Sequence, residues 1–125
     1  MQPYSAAMLS HFQSPRNSGA LPDPDIIGRG DLDGRPPRTE IYAKFDGNVI
    51  HQTGFTTFGC GASIASASAL TQLISGQPID FCRRIEVRDI LTALDGLPTE
   101  KEFCAAIAIA ALQDLIRQWY VRSRT

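Results

Sequence analysis

The sequence predicts an α+β domain, with strands first and helices after. Residues 38–58 alternate apolar and polar side chains on either side of an Asp-Gly turn. Residues 62–120 carry helical patterns, broken by Gly76, Pro78, Gly96 and Pro98. Strands and helices segregated along the chain are the α+β arrangement. The 125 residues read as one domain, 1–125, able to bury a core without disulfide staples.

Residues 4–13 read as a short helix, with Tyr4, Met8 and Phe12 on one face and Leu9 beside them. His11 then falls on the helix surface or at its cap rather than among metal ligands. Ser14-Pro15-Arg16-Asn17-Ser18-Gly19 stops the helix. Residues 20–37 are dense in proline and glycine and read as irregular, with one strand near residues 30–33. Residues 38–45 place Ile41, Ala43 and Phe45 opposite Glu40, Tyr42 and Lys44, the period of a strand. Asp46-Gly47-Asn48 supplies a hairpin turn. Residues 49–58, rich in Thr, Phe, Ile and Val, form the return strand, and His51 is expected to be exposed there.

A helix of small residues follows over 62–75, closed by Gly76. Pro78 opens a turn over 79–83, residues 86–94 form another helix, and a last helix runs from Thr99 or Cys104 to about Tyr120. Its stretch 105–112 is apolar all round, which predicts a helix buried on more than one side.

The net charge of −1 gives no argument for nucleic acid or an anionic membrane as partner. Arg117, Arg122 and Arg124 read as a solvated helix end that complements its dipole. The three cysteines are an odd number. With no recognisable signal peptide and no apolar run of membrane-spanning length, the expected setting is cytoplasmic and reducing. Cysteines there are free, reactive or metal-bound more often than paired.

Cys60 is the informative one. It sits between Gly59 and Gly61 where a strand feeds a helix. No β-carbon of a neighbour shields it, and helix-start amides favour its thiolate. The residues alone leave two readings open: a small packed thiol, or a reactive or ligating one. Cys82, beside Ile79 and Phe81, reads as a packed core thiol.

The segments YSAAMLSHFQSPRNSG and FTTFGCGASIASASALTQLISGQ resemble the iron–sulfur cluster scaffold family, the IscU type and the N-terminal domain of NifU. Tyr4, Ser5, His11, Phe12, Pro15, Arg16, Asn17 and Gly19 carry the first match. Phe58-Gly59-Cys60-Gly61, Ile64, Ala65, Ser66 and Ser68 carry the second. RGDLDG and LPTEKEFCAAIAIAAL fall where the family's other motifs belong. The resemblance implies a SufE/NifU-like fold: a small antiparallel sheet of about three strands with helices packed on one face. It also implies a non-enzymatic scaffold that takes sulfur from a cysteine desulfurase, assembles a [2Fe–2S] cluster and passes it to apo client proteins.

By that resemblance Cys60, Cys104 and Asp31 are the cluster-binding and iron-ligating residues. The family's first cysteine is replaced by Arg29, in Arg29-Gly30-Asp31, and its histidine by Phe103, in Phe103-Cys104. Arg29 cannot ligate; it is expected either to pair with Asp31 or to face the two thiolates. A subunit this poor in ligands implies a cluster shared across a homodimer. Two alternatives stand beside it. One is a cluster-free paralogue that docks a desulfurase or a sibling scaffold. The other is a Zn²⁺ site on Asp31, Cys60 and Cys104. Of the Leu-Pro-Pro-Val-Lys run that the family offers to its chaperone, only Leu97, Pro98 and Lys101 remain. The buried core helix is the favoured reading of 105–112; the alternative makes Phe103 and Ile109 an apolar contact rim where the family's cluster lies.

Overall fold

Gly47, at φ 62°, turns the chain back on itself, and the sheet is built around that loop. In the computed structural model, which describes residues 4–124, it joins β2 (Arg35–Asp46) to β3 (Val49–Phe58). The first strand, β1 (Ile26–Leu32), pairs antiparallel with β2, giving a three-stranded meander in the order β1-β2-β3. Ile41 stands opposite Gly28 on one side and Phe55 on the other. Ile26, Ile41, Ala43 and Phe55 are buried with the helices in one core.

The helices are α1 (Ala6–Gln13), α2 (Gly61–Ile74), α3 (Ile79–Cys82), α4 (Val87–Ala93) and α5 (Glu102–Ser123), the last entered through a 3₁₀ turn, Thr99–Lys101. The α5 helix lies over β1 and β2, α2 lies over β3, and α1 packs on α2. This is the α+β arrangement the sequence predicts. No helix among the described residues is long and apolar enough to cross a membrane.

The stretch expected to be irregular, 20–37, instead holds all of β1 and the start of β2. Gly28 and Gly30 are strand residues rather than loop residues. A β-carbon on Gly28 would lie 2.6 Å from Leu115 Cβ and collide with the Ala111 carbonyl. One on Gly30 would lie 2.7 Å from the Ala111 amide nitrogen and collide with the Ile107 carbonyl. Glycine within a strand here marks a backbone in direct contact with another element.

The same helix seals the free edge of the sheet. Asp114 Oδ2 accepts from the Arg29 amide at 2.9 Å, Gln118 Nε2 donates to the Ile27 carbonyl at 2.8 Å, and the Arg122 guanidinium donates to the Asp25 carbonyl. Four helical residues rise about 6 Å and two strand residues about 6.7 Å, so the two spacings run nearly in step. Backbone groups that an edge strand would otherwise present to another chain are thereby taken up. Arg122 is thus part of the sheet edge rather than a merely solvated helix end.

The first helix differs from expectation in which face it buries. Met8 is buried while Tyr4, Leu9 and Phe12 stay exposed. His11 is buried rather than on the surface, with Nδ1 2.7 Å from Ser68 Oγ. Ser68 Oγ also accepts from the Arg16 amide at 2.8 Å, so its own hydrogen is free to point at His11. Burial, with the Arg16 charge beside it, holds His11 below its ordinary pKa and favours the neutral ring. Small residues on α2 let α1 and α5 approach it closely.

Most of residues 105–112 are buried, as the sequence predicts, including Ile109, which packs in the core rather than on an apolar rim; Ala106 is exposed. Gly30→Val should overpack the α5–β1 contact and cost about 1–3 kcal/mol. Urea denaturation would show a lower midpoint with an unchanged slope; an unchanged midpoint would mean that α5 does not sit as close as described.

Candidate functional site

Cys60 is the residue from which α2 starts. Its backbone is extended, at φ −91° and ψ −178°, and its carbonyl accepts the first helical bonds from Ser63 and Ile64, at 3.0 and 3.2 Å. Its flanking glycines answer to space rather than to unusual φ angles. A β-carbon on Gly59 would lie 2.6 Å from Ser63 Oγ and 2.9 Å from Pro37 Cβ. One on Gly61 would lie 3.1 Å from the Phe12 ring. Cys60 itself is exposed.

Cys104 is buried in the first turn of α5. Although 44 positions separate them in sequence, Cys60 Sγ and Cys104 Sγ lie 3.9 Å apart. Two sulfurs held by one tetrahedral metal, at metal–sulfur bonds of about 2.3 Å, stand about 3.8 Å from each other. The same distance is close to simple contact between the two atoms. Ser63 flanks both: its hydroxyl donates to Cys104 Sγ at 3.4 Å and lies 4.0 Å from Cys60 Sγ.

The pair is electrostatically unequal. Burial pushes the Cys60 thiol up, but the amides of Ser63 and Ala62, the Cys104 thiol and the Ser63 hydroxyl outweigh it and leave Cys60 below its ordinary value. Burial pushes Cys104 up; the Cys60 charge adds to the rise, and the Ser63 hydroxyl and the Lys101 charge offset only part of it. The site is therefore an exposed sulfur that ionises more readily than a free cysteine, resting on a buried one that ionises less readily.

Asp31 does not join them. Its Oδ1 accepts the Gly34 amide at 2.8 Å and so closes the turn between β1 and β2. Among the described residues no group of three or more His, Cys, Asp or Glu side chains is placed to hold a metal ion. The expected three-ligand Zn²⁺ site is thus not assembled. Arg29 follows neither expectation, pairing with Glu40 across the strands at 2.8 Å. Glu40 also accepts from Tyr42 at 2.8 Å.

Cys82 is a core thiol, as expected, its value pushed up to about 11 by burial. His51 is exposed on β3. Exposed aromatics are near neighbours of the two thiols: Phe58, two residues before Cys60, is 67% exposed, Phe103, next to Cys104, is 41% exposed, and Phe12, 43% exposed, has its ring beside Gly61. Ser63 is the site residue that sequence reasoning passed over. Its signal is its place three residues after Cys60, where one helical turn brings its hydroxyl beneath the sulfur.

The chain matches the family described as NifU-like N terminal domain over residues 3–125. It is 32% identical over 121 residues to the iron–sulfur cluster assembly scaffold protein IscU of Aquifex aeolicus, covering 95% of this chain and 77% of that protein. It is 37% identical over 121 residues to the nitrogen fixation protein NifU of Azotobacter chroococcum, covering 95% of this chain but 39% of that longer protein. The fold is also that of a NifU-like N-terminal protein from Brucella abortus, with a TM-score of 0.74, 17% identity, and 91% of this chain and 92% of that one covered.

In the folded protein Cys60 should be alkylated by iodoacetamide before Cys82 and Cys104. Its rate should rise with pH through a value lower than that of a free cysteine and level off above it, because the thiolate is the reacting form. Cys82 should react only after unfolding. Mass mapping of the labelled peptides checks both; equal labelling of Cys60 and Cys82 would contradict the site's electrostatics.

Proposed function

This chain belongs to the NifU-like N-terminal domain family, and on that premise we propose that it is an iron–sulfur cluster assembly scaffold or carrier. The carrying observation is the 3.9 Å approach of Cys60 and Cys104 sulfurs at an exposed helix start. In this reading the cluster is cargo. Cys60, exposed and readily ionised, meets incoming iron or sulfur first. Cys104, fixed in the core helix, anchors it from below. The loss of the Cys104 proton on ligation is the step that iron's charge drives.

A [2Fe–2S] unit takes four protein ligands, and this chain brings two thiols together. We propose that a second copy supplies the other two, so that the loaded form is a dimer. Asp31 enters as a ligand if the β1–β2 turn opens and the Gly34 amide gives up its carboxylate. A cysteine desulfurase supplies the sulfur and apo client proteins receive the cluster; the chain itself performs no catalysis.

The Arg29–Glu40 pair and the engaged Asp31 carboxylate favour a second reading. Here the fold is a cluster-free module that docks a desulfurase or sibling scaffold. Anaerobic reconstitution with ferrous iron and sulfide separates the two. The scaffold reading predicts a coloured dimer, with cluster absorption lost in Cys60→Ser and in Cys104→Ser. A colourless monomer that still binds a desulfurase after Cys60→Ser supports the docking module instead.

A further inference from the structure

The thiol pair has a second chemistry that needs no metal. A disulfide bond requires the sulfurs at about 2.05 Å, so this pair must close by about 2 Å from its present 3.9 Å. One partner is placed to move and the other to stay. Cys60 is exposed and lies outside the body of α2, between two glycines. Cys104 is 1% exposed, locked in a helix whose backbone touches the sheet. The third thiol is out of reach, since Cys82 Sγ is buried against the Ile74 and Gln77 carbonyls, 3.9 Å from each.

We propose that Cys60 and Cys104 form a reversible intramolecular disulfide, with a low-molecular-weight disulfide of the glutathione class as oxidant. The Cys60 sulfur, as thiolate, attacks one sulfur of the oxidant. A mixed disulfide forms at Cys60 and one small thiolate leaves. Cys104 then gives up its proton and attacks the Cys60 sulfur. The Cys60–Cys104 bond forms, and the second small thiolate leaves and takes up that proton. Two protein thiols are oxidised by two electrons, and one small disulfide is reduced to two thiols. Because the mixed disulfide projects from an exposed residue while Cys104 waits in contact beneath it, the second step outruns release of the adduct. The consequence for cargo rests on the proposed function: with both sulfurs tied to each other, neither is left for iron.

The test uses the full chain, free of metal, incubated with oxidised glutathione, then denatured in N-ethylmaleimide and mapped by mass spectrometry. The expected product is a monomer with Cys60 joined to Cys104 and only Cys82 alkylated, reversed by dithiothreitol. Cys104→Ser should stop at a glutathione adduct on Cys60. A stable Cys60 adduct in the unsubstituted chain, or chains joined to each other, overturns the proposal. Ferrous iron uptake is measured separately on reduced and oxidised samples. Uptake by the reduced form alone supports the proposed block, and equal uptake by both refutes it. Disulfide formation in a protein whose reduced form takes no iron sinks the scaffold reading while leaving the disulfide standing.

Discussion

Everything at the site hangs on how closely α5 lies on β1. Two strand glycines remove the β-carbons that would hold the helix off, and the Ile107 and Ala111 backbone moves into the space. Alongside, Asp114, Gln118 and Arg122 grip the strand's open edge. The first contact sets the depth of the helix and the second sets its position along the strand. Both fix Cys104, which lies one helical turn before Ile107 on the same stripe. β2 and β3 then carry the sheet across to Gly59, and Cys60 follows at the start of α2. Two sulfurs distant in sequence meet because one element, α5, is registered twice against the same strand.

The asymmetry of the pair follows from that construction. Cys104 belongs to a core helix and inherits its burial. Cys60 belongs to a seam and inherits water on one side and helix amides on the other. The site thus joins an accessible sulfur to a fixed one, with Ser63 holding its hydroxyl against the fixed partner. Exposed aromatics adjoin them: Phe58 and Phe103 along the chain, and Phe12 beside Gly61. Arg29 and Asp31, which the sequence brings to mind as part of the site, are instead engaged in the outer polar network and the β1–β2 turn. Among the described residues the structure brings two thiols together and leaves the Asp31 carboxylate on its turn, so the proposed function turns to a second copy for further ligands.

What could be read from the sequence was local. The β2–β3 hairpin announces itself through two-residue alternation and Asp-Gly, and α2 through its glycine stop. Cys60 stands out because the strand-to-helix seam is written in adjacent residues. β1 does not announce itself, because the meaning of Gly28 and Gly30 lies in α5, whose Asp114 is 85 positions beyond Arg29. His11 reads as a surface residue in the sequence for the same reason: its partner Ser68 is 57 positions away. No periodicity links Cys104 to Cys60; family resemblance paired them, and the packing of α5 explains why the pairing is physical. Asp31 is pointed to by motif alone, while its carboxylate accepts the amide of Gly34, whose positive φ of 78° belongs to the β1–β2 turn.

The most direct test of the two-sulfur claim is a probe that must bind both at once. A trivalent monoaryl arsenical bridges neighbouring thiols, and native mass spectrometry counts it on the folded, reduced chain. One arsenical per chain, absent in Cys104→Ser and retained in Cys82→Ser, is the predicted result. A folded chain that binds none would mean the two sulfurs do not meet, and the account of this site would be wrong.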